Sequence, residues 1–93
     1  MPEYIAEQYF SRSDISGARH ASDSAHRAAA QLAREGTDIE LVRSLFVPED
    51  ETCIFIYRAD SLESVRKAEE CGGLAFEHIA RAASDADDTP PRP

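Results

Sequence analysis

Hydrophobic and polar positions along this chain follow two periods, one typical of strands and one typical of helices. Runs rich in β-branched and aromatic residues predict four strands, over residues 4–10, 39–47, 52–59 and 74–80. Between the strands, apolar residues recur every three or four positions, which predicts two helices. The expected buried stripes of the two helices are Ala18, Ala21, Ala25, Ala28, Ala29 and Leu32 in the first, and Leu62, Val65 and Ala68 in the second.

The residues flanking the helical segments are typical of helix caps. Ser13 or Asp14 is expected to cap the first helix, and Asp60 or Ser61 the second. Glu63 stands three residues after Asp60, a spacing that predicts a capping box. These boundaries give the element order β-α-β-β-α-β.

This order predicts one ferredoxin-like α+β domain over residues 1–83, a split sandwich with two helices on one face of a four-stranded antiparallel sheet. The acidic turn at residues 48–51 makes the second and third strands a hairpin. The other face of the sheet carries apolar residues that no element of the same chain covers. An uncovered apolar face indicates a partner, so we expect a homodimer of the dimeric α+β barrel type. Residues 84–93, acidic and rich in proline, are expected to be disordered.

Charge narrows the classes of partner. Eighteen acidic and ten basic residues give a formal net charge of −8. This balance argues against binding to nucleic acid or to an anionic membrane surface, and it is compatible with a cation. No secretory signal or membrane span is visible, so a cytoplasmic protein is expected. The two cysteines, Cys53 and Cys71, are then expected to be free thiols, with Cys71 as a small packing residue.

Four residues on the predicted strands are candidates for a polar pocket inside such a barrel. Glu7 and Tyr9 share a face of the first strand, Arg43 is expected on the same face as Leu41 and Leu45, and His78 lies on the last strand. In a pocket, Glu7 or His78 would act as acid or base and Arg43 would hold an anionic group. A structural ion pair and a hydrogen-bonded histidine are the alternatives without a ligand.

Signatures of common enzyme classes are absent from the sequence. It contains no nucleophile elbow, phosphate-binding glycine loop, HExxH motif or dinucleotide fingerprint. Their absence lowers the expectation of hydrolase or nucleotide chemistry. It leaves open whether the protein is an enzyme, since barrels of this type build sites from scattered strand residues.

Several segments carry a resemblance to a known family. These are residues 5–9, residues 43–53 with the sequence RSLFVPEDETC, residues 59–65 and residues 73–79. Together they resemble the small family catalogued as domain of unknown function 4242, which includes a bacterial nickel-binding protein. The resemblance implies a ferredoxin-like fold, a dimer and nickel or a similar divalent ion as a ligand.

Histidine and cysteine are the residue types that a nickel site would use. His26, His78 and Cys53 are the candidate metal ligands, whereas His20 is expected on a solvated helix face. Three hypotheses therefore stand. The first is a dimeric metal-binding protein for sequestration or sensing, and the second is a barrel pocket that binds or transforms a small molecule. The third is a regulatory partner protein that has no site and interacts through its acidic tail.

Overall fold

The computed structural model describes residues 1–83, and the predicted tail at 84–93 lies outside the described residues. Strands and helices alternate in the expected order. The elements are β1 (Glu3–Tyr9), α1 (Ile15–Arg34), β2 (Ile39–Val47), a 3-10 turn (Pro48–Asp50), β3 (Thr52–Ala59), α2 (Leu62–Gly72) and β4 (His78–Ala82). Neither helix within residues 1–83 is long and apolar enough to cross a bilayer.

The four strands form one antiparallel sheet in the order β2-β3-β1-β4. Helix α1 packs against β2 and helix α2 packs against β3 and α1. This arrangement is the ferredoxin-like split sandwich, so the predicted fold class is confirmed.

The core lies between the helices and one face of the sheet. Along β3, buried and partly exposed residues alternate without interruption, and Cys53, Phe55 and Tyr57 are the large buried side chains. The buried residues of α1 are the six of the predicted stripe. Because five of the six are alanines, the helix backbone can lie close to the sheet. Of the expected α2 stripe, Val65 and Ala68 are buried, and Leu62 packs at the margin of the core.

Both helix starts use side chains that the sequence marks as caps. Asp14 caps α1, because its Oδ1 accepts a hydrogen bond from the Gly17 N–H at 3.0 Å. Ser61 caps α2. The predicted capping box between Asp60 and Glu63 is wrong: Ser61 is the cap, and the backbone N–H of Asp60 donates to the carbonyl of Asp38. The Asp60 carboxylate accepts instead from the hydroxyl of Ser64, which lowers the pKa of Asp60.

The last strand begins later than its sequence predicts. Residues 74–80 were expected as a strand, yet β4 runs from His78 to Ala82. The preceding loop is tied down by other means: the N–H of Ala75 donates to the Gln8 side chain, and the N–H of Phe76 donates to the Glu69 carboxylate. The Phe76 ring packs on Phe55 and Tyr57. Phe76 is therefore apolar because it belongs to the core, and it is not part of a strand.

A β-bulge in β2 changes which residues face the helices. Leu41 is paired with Tyr57 and is buried on the helix face, whereas Arg43 is paired with Ile56 on the opposite face. The pairing shifts between them, which leaves Val42 as the extra residue. The expectation that Arg43 and Leu41 share a face is therefore wrong, because the bulge reverses the alternation at this point.

One polar atom of the core is unpaired. Tyr57 is fully buried, and its hydroxyl has no hydrogen-bond partner among the described residues. Burial, followed by the negative charge of Glu69, raises the pKa of Tyr57. Burying this hydroxyl without a hydrogen-bond partner lowers the stability of the folded state, whereas burying the aromatic ring does not.

We expect Tyr57→Phe to raise the free energy of unfolding by about 1 kcal/mol, because it removes an unpaired polar atom and keeps the ring. Chemical denaturation measures the change. Tyr57→Leu serves as the control: losing the ring should lower the stability by about 1–3 kcal/mol. A clear loss of stability in Tyr57→Phe would contradict this account of the hydroxyl.

Candidate functional site

The face of the sheet opposite the helices, called the open face below, is not covered by any element within residues 1–83. Residues in register across the strands divide it into four levels. From one end to the other these are Glu3, Arg58, Glu40 and Ala82; Ile5, Ile56, Arg43 and Ala80; Glu7, Ile54, Leu45 and His78; and Tyr9, Thr52 and Val47.

The middle of the open face is apolar. Ile5, Ile54 and Ile56 lie side by side on the two central strands, and Leu45, which is 40% exposed, flanks them on β2. These residues are the apolar surface that the sequence predicts on the uncovered face.

Charged side chains lie at one end of the open face. Arg58 lies between two carboxylates, with Nη2 3.4 Å from Oε2 of Glu3 and Nη1 3.2 Å from Oε1 of Glu40. Partly exposed pairs of this kind contribute little to stability. They matter because this end of the face presents both a positive and a negative charge to any partner.

An acid and an imidazole are neighbours at the third level. Glu7 of β1 is the register partner of His78 of β4, so their Cβ atoms are about 5 Å apart. Glu7 is partly buried and His78 is exposed. The start of β4 fixes this placement, because the Glu77 N–H donates to the Glu7 carbonyl at 2.7 Å just before His78 enters the strand. A carboxylate beside an imidazole can exchange a proton or bind a cation.

The other two pocket candidates share the face without joining this pair. Arg43 is exposed on β2, two strands away from Glu7, which corresponds to about 10 Å across the sheet. Tyr9 occupies the neighbouring level of β1 and is 58% exposed. The structure therefore places all four predicted pocket residues on the open face but brings only Glu7 and His78 together.

The predicted metal ligands do not converge. His26 is exposed on α1, where its Nδ1 lies 3.0 Å from the carbonyl oxygen of Ser22. Cys53 is buried on the helix face of the sheet, and His78 is on the open face. No group of three or more His, Cys, Asp or Glu side chains able to hold a metal occurs within residues 1–83. This trio does not fit one nickel ion, and only Glu7 and His78 offer two adjacent donors.

Cys53 lies at a cleft on the helix side. The cleft, of about 230 Å³, lies between α1 and strands β2 and β3, and its lining residues are Ile15, Ala18, Arg19, Ser22, Ser44, Phe46 and Cys53. Burial raises the pKa of the Cys53 thiol. A thiol of raised pKa is a weak nucleophile and a weak metal ligand at neutral pH.

Cys71 differs from its prediction as a packing residue. It is exposed near the end of α2, with Sγ 3.7 Å from Oε1 of Gln31. The last turn of α2 presents position 71 to solvent, while Ala68 takes the buried place one turn earlier.

We expect one thiol per chain, Cys71, to react with 5,5′-dithiobis(2-nitrobenzoic acid) in the folded protein, and both to react after denaturation. Burial and a raised pKa protect Cys53, whereas Cys71 is exposed. Absorbance at neutral pH follows the reaction. Cys71→Ser should abolish the fast phase, and rapid labelling of that variant would show that Cys53 is accessible.

Comparisons with known proteins bear on the fold. No protein-family model matches the chain, and no curated protein matches it. The structure is similar to the crystal structure of SCO4226 from Streptomyces coelicolor A3(2), with a TM-score of 0.66 and 14% sequence identity. The match covers 86% of this chain and 94% of SCO4226. At this identity the likeness shows a shared fold, the small α+β ferredoxin-like sandwich.

Proposed function

We propose that this protein is a homodimer that binds a small organic anion in a pocket between two open faces. The observation that carries the proposal is the position of Glu7 and His78 as neighbours at the margin of an apolar sheet face. Ligand pockets combine an apolar lining with a few convergent polar groups, and this face supplies both.

The apolar centre of the open face supports the dimer. Ile5, Ile54 and Ile56 are only partly buried in one chain, and no element of residues 1–83 covers them. Four strands about 4.8 Å apart, with a mean length of about 24 Å, give a contact on the order of 1,000 Å² for two copies. That area reaches the lower bound of specific protein interfaces.

The polar residues support an acid–base role within the pocket. Glu7 is partly shielded and lies beside His78, so one of the two can accept a proton that the other or a ligand donates. An Arg43 side chain on one of the two facing sheets provides the cation that would hold a carboxylate or sulfonate group. Apolar side chains between them would hold the body of the ligand.

A divalent transition metal, nickel above all, is the second candidate ligand. One imidazole and one carboxylate as neighbours are a suitable donor pair for such an ion, and the family resemblance of residues 43–53 points to nickel. Glu7 and His78 would hold the ion, which would supply a fixed positive charge. His26 and Cys53 are too far from this pair, on the helix side of the molecule, to contribute.

We expect Ile56→Asp to convert the dimer into a monomer, because it places an uncompensated charge at the centre of the buried contact. Light scattering after size-exclusion chromatography gives the mass. Ile15→Asp is the matched control: Ile15 is 53% exposed on α1, outside the open face, and this variant should stay dimeric. A wild-type protein that is monomeric at micromolar concentration would overturn the dimer.

We expect the dimer to bind 8-anilinonaphthalene-1-sulfonate, an apolar probe with one anionic group, with saturation. Arg43→Gln should weaken binding about tenfold, because a charge-assisted hydrogen bond is lost. Arg27→Gln, which changes an exposed arginine of α1, should leave binding unchanged. Fluorescence titration measures both, and equal binding by the two variants would contradict an anion pocket at Arg43.

A calorimetric titration with nickel should distinguish between a metal ion and an organic anion as the ligand. If the metal hypothesis holds, uptake is stoichiometric and is lost in His78→Ala and Glu7→Gln. His26→Ala is the matched control, since this histidine is exposed on α1 and should not affect uptake. No uptake by the wild-type dimer would leave the organic anion as the ligand class.

A further inference from the structure

The charge pattern of the open face distinguishes between two ways of pairing it with a second copy. This argument rests on the proposed dimer. Two sheets that face each other in a symmetric dimer are related by a two-fold axis lying between them. In aligned packing, where the strands of the two sheets stay within about 30° of each other, that axis runs roughly parallel or roughly perpendicular to the strands.

A parallel axis keeps every residue at its own level. In the order β2-β3-β1-β4, strand β3 then lies over the partner's β1, and β2 lies over the partner's β4. Arg58 faces the partner's Glu3, and Ile56 faces the partner's Ile5. Charged residues of the first level therefore face opposite charges of the partner, and the isoleucines of the second level face the partner's apolar residues.

A perpendicular axis through the centre of the face reverses the levels. Each strand then lies over its own counterpart, so Arg43 on β2 comes close to the partner's Arg43. The charged level of Glu3 and Arg58 would lie over Thr52, which carries no charge. Like charges brought together oppose association, and Arg58, already paired with Glu3 and Glu40 of its own chain, would gain no opposite charge from the partner.

We infer that the axis runs parallel to the strands and that the partner's Arg43 completes the site formed by Glu7 and His78. Under this axis, β2 of the partner lies over β4, so the partner's Arg43 is one level from His78, and one strand and one level from Glu7. Facing sheets are about 10 Å apart. Glu7 and the partner's Arg43 extend from opposite sides of this gap, and together their side chains are long enough to cross it.

Each site of the dimer thus combines two chains. One chain supplies the acid and the imidazole, and the partner supplies the guanidinium that holds an anionic group. Within one chain Arg43 is two strands away from Glu7 and does not serve the same site. Binding of a small organic anion therefore requires the dimer, and a dimer carries two equal sites.

The test is a charge exchange between the two positions. Arg43→Glu and Glu7→Arg each place like charges together, and each should raise the dimer dissociation constant about tenfold or more. The double variant restores opposite charges and should recover most of the wild-type affinity. Arg43→Glu combined with Glu70→Arg is the matched control, because Glu70 is exposed on α2 and should give no recovery. Sedimentation equilibrium measures all four.

Cross-linking gives a second reading that does not depend on the charge variants. In a Cys71→Ser background, Leu45→Cys mixed with Ala80→Cys should form a covalent dimer with a bismaleimide of about 10 Å reach. Leu45→Cys alone should not, whereas a perpendicular axis would link it to itself.

The two proposals fail in different ways. A monomeric wild-type protein would overturn both the proposed function and this inference. A wild-type dimer in which the exchange gives no recovery, or in which Leu45→Cys links to itself, would overturn only the parallel arrangement.

Discussion

The two-residue period of a β-strand couples the hydrophobic core of this protein to its open face. Burial of Cys53, Phe55 and Tyr57 under the helices obliges Ile54 and Ile56 to point the other way. Because both helices pack on the same face, the apolar residues of the opposite face stay outside the core of one chain. The apolar open face thus follows from the same geometry that builds the core.

Helix α1 makes this one-sided packing compact. Its buried stripe is almost entirely alanine, so the helix contributes little apolar volume of its own, and the core volume comes from strand side chains such as Phe55 and Tyr57. The loop before β4 adds the Phe76 ring. A core built this way is thin, which is consistent with a small domain that gains stability from association.

The bulge at Val42 connects the fold to the candidate chemistry. Unbroken alternation from Leu41 would turn Arg43 toward the helices, where a guanidinium would be buried without a carboxylate partner. One extra residue instead puts Arg43 on the open face, in register with Ile56 and Ile5. Bulges commonly redirect side chains in this way beside binding sites. The guanidinium then lies outside the core, and the alternation of buried residues before and after the bulge is preserved.

The sequence by itself determined the order of elements, the α1 stripe and the faces of β1 and β3, because these depend on local periodicity and on short connections. It also offered Glu7, Tyr9, Arg43 and His78 as pocket candidates, because they are polar residues within apolar strands. Only the tertiary structure decided their relations. The pairing of Glu7 with His78 depends on where β4 begins, which hydrogen bonds from the preceding loop determine. The side of the sheet on which Arg43 lies depends on a bulge, and the separation of His26, Cys53 and His78 depends on which faces of the sheet the helices cover. Each of these features depends on contacts between residues distant in the chain, which no local sequence pattern encodes.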